Sequence, residues 1–253
     1  MPIVTLLTDF GTSDAYVAEL RGVLLTRAPN ATLVDITHAV QPGDVQAGAY
    51  ILGRAWRRFP QGSVHLAVVD PGVGTARAAL AFRAGTHFFV GPDNGLFTGV
   101  LHDTPVEIVS LGVPDGASPT FHGRDLFAPA AAALAAGARL ADVGLPFAGI
   151  PQRLSMQDPQ YEGKSVVGRV VYVDHFGTLV TNLTAEHVPD YATVEVEGLD
   201  LGHLRRTYGD VAAGGLLAYL GSDGAVEIAV RNGSASRRLG IGVGGRVRAI
   251  LGR

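Results

Sequence analysis

The alternation of short apolar runs with helix-like stretches in the first half of the chain constrains the fold most strongly. Residues 3–7, 32–37 and 63–69 are short runs rich in Val, Ile and Leu, which predicts three strands. Apolar residues at helical spacing in 17–24 and a second helical stretch in 44–59 separate these runs. This βαβαβ order predicts an α/β domain, in which a mostly parallel sheet is sandwiched by helices.

Short strand-like runs separated by Gly, Asp and Asn turns dominate the second half of the chain. They follow a polar, proline-containing stretch at 151–163 that is typical of a linker. Their spacing favours a small antiparallel β-barrel or sandwich. We therefore predict an N-terminal α/β domain over residues 1–150 and a C-terminal β-barrel domain over residues 164–253. Further strands are expected at 79–83, 87–90, 106–110, 166–173, 193–196, 216–220, 226–230 and 246–250, and an alanine-rich helix within 123–136.

The absence of cysteine and the small net charge exclude several classes of protein. None of the 253 residues is cysteine, which excludes a disulfide scaffold, a Cys-ligated metal site and a cysteine nucleophile. The net charge of −3 gives no basic footprint for nucleic acid. No apolar stretch reaches the roughly 18 to 20 residues of a membrane span, and the N-terminus lacks a signal peptide's basic start. A cytoplasmic protein with neither nucleic acid nor membrane as a partner is expected.

Polar segments follow the first and third predicted strands, where ligands bind in parallel sheets. In TDFGTSD (8–14), Asp9 lies directly after a strand and could hold the vicinal diol of a ribose, whereas Ser13 or Asp14 is expected to cap the following helix. In VDPGVGTAR (69–77), two glycines allow the backbone to approach a ligand closely. Asp-Pro-Gly is also an ordinary turn, and this segment alone favours the turn.

Further segments carry polar residues in places that turns alone could explain. In FHGRD (121–125), His122 is a candidate base or hydrogen-bond donor, although a lone histidine is more often structural. GPDNGLF (91–97) predicts a turn with exposed polar groups. The other such segments are VDHFGTLVTN (173–182), GSDG (221–224) and VRNG (230–233), which hairpin turns would also explain.

Metal-ligand and serine-hydrolase patterns are weak in this chain. Asp9, Asp14, His65, Asp70 and His122 are residue types that bind metals, but the sequence has no H-E-x-x-H pattern. It also has no G-x-S-x-G nucleophile elbow. No metal site and no cofactor are therefore expected.

Seven segments, in order along nearly the whole chain, resemble the S-adenosyl-L-methionine (SAM) hydroxide adenosyltransferases, relatives of the fluorinating and chlorinating SAM enzymes. The segments are TDFGTSDAYV, HAVQPGDVQAGAY, VVDPGVGTAR, GPDNGLF, FHGRDLFAP, VDHFGTLVTNL and AVRNG. The resemblance implies an N-terminal α/β domain and a C-terminal β-barrel. It also implies a homotrimer whose active sites lie between the N-terminal domain of one subunit and the C-terminal domain of a neighbour.

The resemblance also implies which residues act. Asp70, Arg77 and His122 match the Asp-Arg-His set of the hydrolysing members. The residues matching substrate contacts are Asp9 for the ribose hydroxyls, Asp174 for the methionine amino group, Phe176, Thr178, Asn232 and Gly233 for adenine, and Ser222 for the methionine part.

Several positions distinguish this chain from its relatives. The halogenating members carry Tyr in place of Asp70 and Tyr-Ser in place of His122-Gly123, so this chain is expected to use water instead of halide. Thr178 stands where the family usually has an adenine-reading Asn, and Thr lacks the paired donor and acceptor of an amide. Asp223 stands where the fluorinating relatives have an Arg for the methionine carboxylate.

The implied reaction converts SAM and water to adenosine and L-methionine, by attack of activated water on the ribose C5′. Three alternatives stay open on the sequence alone. The chain could be a SAM halogenase making a 5′-halo-5′-deoxyadenosine, or a trimer that binds SAM or adenosine without turnover. It could also be a metal-dependent hydrolase of another nucleoside compound.

Overall fold

A computed structural model describes residues 1–101, 106–155 and 157–252. The chain divides into an N-terminal unit, Met1–Leu154, and a C-terminal unit, Ser155–Arg253. Among the described residues, no helix combines the length and the apolar character needed to cross a membrane.

The N-terminal unit contains a seven-stranded sheet and five α-helices among its described residues. Its elements are β1 (Ile3–Thr8), α1 (Tyr16–Arg27), β2 (Thr32–Thr37), α2 (Val45–Ala55), β3 (Val64–Val68), β4 (Ala79–Ala84), β5 (His87–Pro92), α3 (Thr98–Leu101), β6 (Val106–Ser110), α4 (Ala128–Ala135), α5 (Leu140–Val143) and β7 (Leu145–Pro146). The strands follow the order β2-β1-β3-β5-β4-β6-β7 in the sheet. Strand β1 pairs in parallel with β2 and β3, and β3 pairs in parallel with β5, as the βαβαβ pattern predicts. Strands β4, β6 and β7 continue the sheet antiparallel.

Helices cover both faces of this sheet. On one face Leu20 and Leu24 of α1 and the residues of α4 pack in a cluster with Leu6. On the other face Leu52 of α2 packs in a cluster with Leu7. Neighbouring strand residues thus point into opposite cores, which explains why the central strands are apolar throughout. The predicted α/β sandwich is confirmed.

The two predicted helix starts had different outcomes. The helical stretch predicted to begin at residue 44 is confirmed: Asp44 precedes α2, and its side chain caps the helix by accepting a hydrogen bond of 2.9 Å from the Ala47 amide. The prediction that Ser13 or Asp14 caps α1 is wrong. Ala15 is the residue before α1 and has helical backbone angles, so the extended geometry that lets a side chain cap the helix is not reached there.

The C-terminal unit is an antiparallel, nearly closed barrel, as predicted. The elements are β8 (Gln160–Glu162), β9 (Ser165–Val173), β10 (Leu179–Thr184), β11 (Thr193–Val196), β12 (Leu199–His203), β13 (Leu216–Leu220), β14 (Ala225–Val230), α6 (Ala235–Leu239) and β15 (Arg246–Ile250). The strands follow the order β12-β11-β15-β9-β10-β14-β13, and β8 pairs with β9. Arg205, after β12, forms a bridge to Tyr219 in β13 and brings the two ends of this order together.

A buried histidine pair lies in the N-terminal unit. His65 of β3 is fully buried, with Nδ1 2.8 Å from Thr5 Oγ1 and Nε2 3.2 Å from His87 Nδ1. Its ring stacks on Phe89 with 4.8 Å between ring centroids. Burial, and then the charge of His87, lower the pKa of His65 to about 3.

We expect this pair to make folding stability depend on pH. Because the pKa of His65 is about 3 in the folded chain and near 6.5 when unfolded, the unfolded chain takes up the proton first on acidification. The stabilising contribution is complete above pH 6.5 and is lost between pH 6.5 and 3, by up to about 1.4 kcal/mol per pH unit.

Urea unfolding at several pH values between 7 and 4 measures this slope. The variant His65→Gln should show a slope smaller by about one proton, whatever its absolute stability. The control His175→Gln changes an exposed histidine and should keep the native slope. Equal slopes in all three proteins would contradict the assignment.

Candidate active site

The loops after β1 and β3 meet at one edge of the N-terminal sheet. These strands are parallel neighbours, with Thr8 opposite Val68, so Asp9 and Asp70 follow them at the same edge. The Asp9 carboxylate accepts a hydrogen bond of 2.7 Å from the Gly43 amide. Gly43 in turn lies against Pro71, since a Cβ on it would be 3.7 Å from the Pro71 ring. The first predicted motif is thereby joined to the second.

Asp70 and Arg77 form a buried ion pair within the 70–77 loop, which connects β3 to β4. Arg77 Nε donates to both carboxylate oxygens of Asp70, at 2.9 and 3.0 Å, and Nη2 donates to Oδ2 as well. The Arg77 side chain is only 8% exposed and the Asp70 side chain only 5%. The guanidinium also lies 5.2 Å from the centroid of the Phe127 ring. Such charge-assisted, two-pronged contacts hold both groups in a defined orientation.

His122 joins this pair through the same guanidinium. Its Nδ1 lies 3.0 Å from Arg77 Nη2. An arginine only donates hydrogen bonds, so Nδ1 must be the acceptor and the proton of the neutral ring is on Nε2. Burial lowers the pKa of His122, and the positive charge of Arg77 lowers it further. His122 is therefore neutral at neutral pH, with Nε2–H available as a donor.

Aromatic side chains flank His122. A Cβ on Gly123 would come within 3.1 Å of the Phe10 ring, so Phe10, from the loop after β1, packs against this glycine. Phe10 also contacts Phe121 edge-on, with 5.9 Å between ring centroids. After His122 the chain forms a π-helical turn, Gly123–Phe127, which leads into α4. Such turns are frequent at functional sites.

Gly74 joins the 70–77 loop to the segment before His122. Its φ of +77° is a left-handed conformation that favours glycine. A Cβ there would lie 2.7 Å from the Pro119 carbonyl oxygen, so these two segments are in direct backbone contact. The turn predicted from Asp-Pro-Gly is present, and it also gathers the candidate catalytic residues.

The segment 91–97 differs from its prediction. The sequence predicts a turn with exposed polar groups, but Asp93 is buried and Asn94 is half-buried. The prediction is wrong because the segment follows β5, a central strand, and its polar atoms bond to neighbouring backbone. Burial raises the pKa of Asp93.

In the C-terminal unit, the residues carried over for adenine and the amino group form one group of turns. Asp174 Oδ1 accepts hydrogen bonds of 2.9 and 2.8 Å from the Phe176 and Thr178 amides. Phe176 is 73% exposed, whereas Thr178 is buried. Asn232 has a left-handed φ of 59°, in a second turn.

These two turns are adjacent. The Ser236 amide donates a hydrogen bond of 2.9 Å to the Gly177 carbonyl, and a Cβ on Gly177 would collide with Ser234 at 2.0 Å. Phe176, Asn232 and Gly233 therefore lie at one end of the barrel.

Ser222 lies elsewhere in the unit. It belongs to the turn between β13 and β14, whereas Asn232 follows the other end of β14. Strand β14 has six residues, so the two turns are roughly 17 Å apart along it. The structure groups Ser222 with Asp223 and leaves both apart from the turns that hold Asp174 and Phe176.

A series of polar contacts that sequence reasoning missed supports the loop after β1. Thr8 Oγ1 lies 2.8 Å from His38 Nδ1, and His38 Nε2 lies 3.1 Å from Asp35 Oδ1. The Gly11 amide donates to the His38 carbonyl at 2.8 Å. The only sequence signal for these contacts is the spacing of Asp35 and His38 at the end of β2. The described residues hold no group of three or more His, Asp or Glu suited to a metal ion.

Family models match most of both units. The model described as SAM hydroxide adenosyltransferase N-terminal domain matches residues 4–144. The model described as SAM hydroxide adenosyltransferase C-terminal domain matches residues 168–248.

Named relatives match over almost the entire chain. The (R)-S-adenosyl-L-methionine hydrolase of Salinispora tropica is 41% identical and covers 99% of this chain and 98% of the relative. The hydrolase of the same name from Thermus thermophilus is 43% identical, with 98% and 99% covered. A fluorinase of Nocardia brasiliensis is 32% identical and covers 72% of this chain and 71% of its own.

A solved structure has the same fold. The crystal structure described as an uncharacterized conserved protein from Thermotoga maritima aligns with a TM-score of 0.90 and 36% identity, and covers 97% of this chain and 99% of its own.

We expect Gly74→Ala to destabilise the N-terminal unit more than a glycine substitution in open space. A left-handed alanine costs roughly 1–2 kcal/mol, and displacing the Pro119 backbone adds roughly 1–3 kcal/mol. Gly62→Ala is the matched control, because Gly62 has a φ of +83° with nothing within 4 Å. Urea unfolding of both variants measures the difference, and equal losses would contradict the close contact.

Proposed function

The chain belongs to the SAM hydroxide adenosyltransferase family, and from this premise we propose that it hydrolyses S-adenosyl-L-methionine to adenosine and L-methionine. The observation that carries the proposal is the buried set of Asp70, Arg77 and His122, held together by one guanidinium. The hydrolases that match this chain over nearly its full length support the same reaction.

The nucleophile is the difficult partner in this reaction. A water oxygen forms a bond to C5′ of the ribose, the C5′–sulfur bond breaks, and its electron pair returns to the sulfur of methionine. The sulfonium leaves without being protonated, but water must lose a proton, and its pKa near 15.7 makes hydroxide scarce at neutral pH. The site must therefore orient the water and take its proton as the new bond forms.

Asp70 takes the proton in this proposal. Arg77 only donates, and the acceptor nitrogen of His122 is occupied by Arg77. A carboxylate has about four lone-pair sites, and the hydrogen bonds from Arg77 use three of them. Asp70 thus keeps capacity for one water O–H.

Arg77 and His122 complete the site in different ways. The guanidinium stays charged at any working pH, so it favours hydroxide character in the attacking water. His122 presents Nε2–H, which can donate to a lone pair of that water and aim it. This arrangement assigns proton transfer to Asp70 and orientation to His122.

The residues around Gly123 favour water over halide. In the halogenating members a serine takes the place of Gly123, but here a Cβ at this position would be 3.1 Å from Phe10. A serine would therefore need the Phe10 ring to move. Glycine has no side chain that could replace the serine contact with halide, and the carboxylate of Asp70 adds a negative charge beside the site.

The substrate contacts remain those that the resemblance implies. We propose that Asp9 holds the ribose hydroxyls and that Asp174 holds the methionine amino group. Phe176 and the backbone of Asn232 and Gly233 contact adenine, an assignment that their grouping at one end of the barrel supports. The roles of Ser222 and Thr178 stay predictions.

We also propose a homotrimer in the cytoplasm, with the active sites between subunits. The family resemblance supports this proposal, because it implies sites between the N-terminal domain of one subunit and the C-terminal domain of a neighbour. Light scattering of the purified protein measures the oligomeric state, and a monomer that turns over SAM would contradict this part of the proposal.

Incubation of the EDTA-treated protein with SAM, with and without chloride, tests the function directly. We expect adenosine and methionine in equal amounts, with no dependence on chloride. A 5′-chloro product would support the halogenase, intact SAM bound tightly would support a binding protein, and loss of activity with EDTA would support a metal-dependent hydrolase.

The variant Arg77→Ala should lose on the order of 10² to 10³ in kcat.

A pair of substitutions at His122 separates a donor from a base. His122→Gln can place an N–H close to the position of imidazole Nε2, whereas His122→Leu cannot. We expect His122→Gln to retain at least about tenfold more activity than His122→Leu, which should lose on the order of 10² to 10³. Equal loss in both variants would indicate that the imidazole itself accepts the proton.

The pH profile of kcat is a further check on His122. Because its pKa is lowered, the neutral ring persists below the ordinary histidine range near 6.5. Activity should therefore not fall with acidification until the pH is below 6.5. A fall centred at or above pH 6.5 that disappears in His122→Gln would contradict the assignment.

A further inference from the structure

The 70–77 loop must pass over the end of β5. It connects β3 to β4, and β5 lies between these two strands in the sheet. The segment 91–97, which continues from β5, therefore lies directly beneath the loop. This segment carries polar residues for which the proposed reaction has no direct use.

Two consecutive residues of this segment hold the two ends of the 70–77 loop. Asn94 Nδ2 donates a hydrogen bond of 2.8 Å to the carbonyl of Val69, the residue before Asp70. The Asp93 amide donates a hydrogen bond of 2.9 Å to the carbonyl of Ala78, the residue after Arg77. The points at which the loop leaves β3 and enters β4 are thus fixed by one short segment.

The Asn94 amide is held at both of its ends. While Nδ2 donates to Val69, Oδ1 accepts a hydrogen bond of 3.2 Å from the Leu96 amide. Val69 and Leu96 are both fully buried, so these backbone groups depend on internal partners. The side-chain amide meets both demands at once, because its NH₂ group donates while its carbonyl oxygen accepts.

The packing under Asn94 leaves little freedom. A Cβ on Gly91 would lie 2.1 Å from the Ala67 carbonyl oxygen, so the end of β5 lies flush against β3. From the other side, the Gln152 amide donates a hydrogen bond of 2.7 Å to Asp93 Oδ1. The segment is therefore a rigid support for the loop above it.

We propose that Asn94 is a positioning residue for the reaction: it fixes the start of the 70–77 loop and thereby sets the carboxylate of Asp70 against the attacking water. The inference rests on the proposed function for its kinetic consequence. A group that must meet water within hydrogen-bond reach is sensitive to displacements of about 1 Å, which can cost on the order of 10² in rate.

Asn94→Asp is the discriminating variant, because the carboxylate keeps the acceptor for Leu96 and loses the donor to Val69. We expect kcat for SAM to fall at least about tenfold, while KM changes by less than about threefold, since Asn94 does not contact the substrate in this proposal. Asn94→Ala, which adds no charge, replaces this variant if its circular dichroism shows that it does not fold.

Thr98→Val is the matched control in the same stretch of chain. Thr98 Oγ1 donates to the Gly95 carbonyl at 2.6 Å and accepts from the Leu154 amide at 2.8 Å, so this variant loses two hydrogen bonds, one more than Asn94→Asp and as many as Asn94→Ala. Neither bond reaches an end of the 70–77 loop. Thr98→Val should keep kcat within about twofold even where its thermal stability falls as far as that of the Asn94 variant. Equal kcat losses in the two variants would show a merely structural role and overturn the proposal.

Hydrogen exchange of the amides in 70–77 provides a readout that does not depend on SAM turnover. We expect faster exchange there in Asn94→Asp than in the wild type, and unchanged exchange in Thr98→Val. If the wild type does not hydrolyse SAM, the proposed function fails while this measurement still decides the positioning role. Unchanged exchange in the Asn94 variant, or unchanged kcat in an active enzyme, would overturn the inference.

Discussion

The guanidinium of Arg77 is the group on which the rest of the site depends. It is a buried positive charge, and such a charge is strongly unfavourable without partners of good geometry. Asp70 supplies the opposite charge and His122 supplies a neutral acceptor. These two contacts of the guanidinium decide the chemistry. They leave the Asp70 carboxylate as the proton acceptor of the site, and they place the proton of His122 on Nε2. One ion pair therefore assigns different roles to two residues that could both act as bases.

The sheet order explains how such a pair can be held rigidly. Because β5 lies between β3 and β4, the 70–77 loop crosses over a central strand. Asp93 and Asn94, directly after β5, hydrogen-bond to the residues at the two ends of this loop. The loop after β1 and the segment before His122 close in from the sides through Gly43 and Gly74. The position of Asp70 thus follows from backbone contacts that surround it on several sides, and little of it depends on the Asp70 side chain itself.

Local sequence signals predicted much of the fold but failed where tertiary contacts compete. The βαβαβ order, the start of the second helix at residue 44 and the change to an antiparallel barrel could be seen in the chain. Strand β10 was hidden in a polar motif, and β12 was missed because its LDLGH sequence lacks a clear strand pattern. GPDNG was expected to be an exposed turn because Pro, Asp, Asn and Gly favour turns anywhere, and nothing local reveals that a neighbouring loop covers them.

The sequence by itself determined the kinds of element, the apolar faces that must be buried, and the set of polar residues that follow the strands, since periodicity and turn chemistry are properties of neighbouring residues. The tertiary structure decided which of those residues meet. It paired Asp70 with Arg77 and His122, joined Asp9 to Gly43, and separated Ser222 from Asn232 by the length of β14. Strand order and register decide these distances, and both arise from packing between segments far apart in the chain, which no local pattern records.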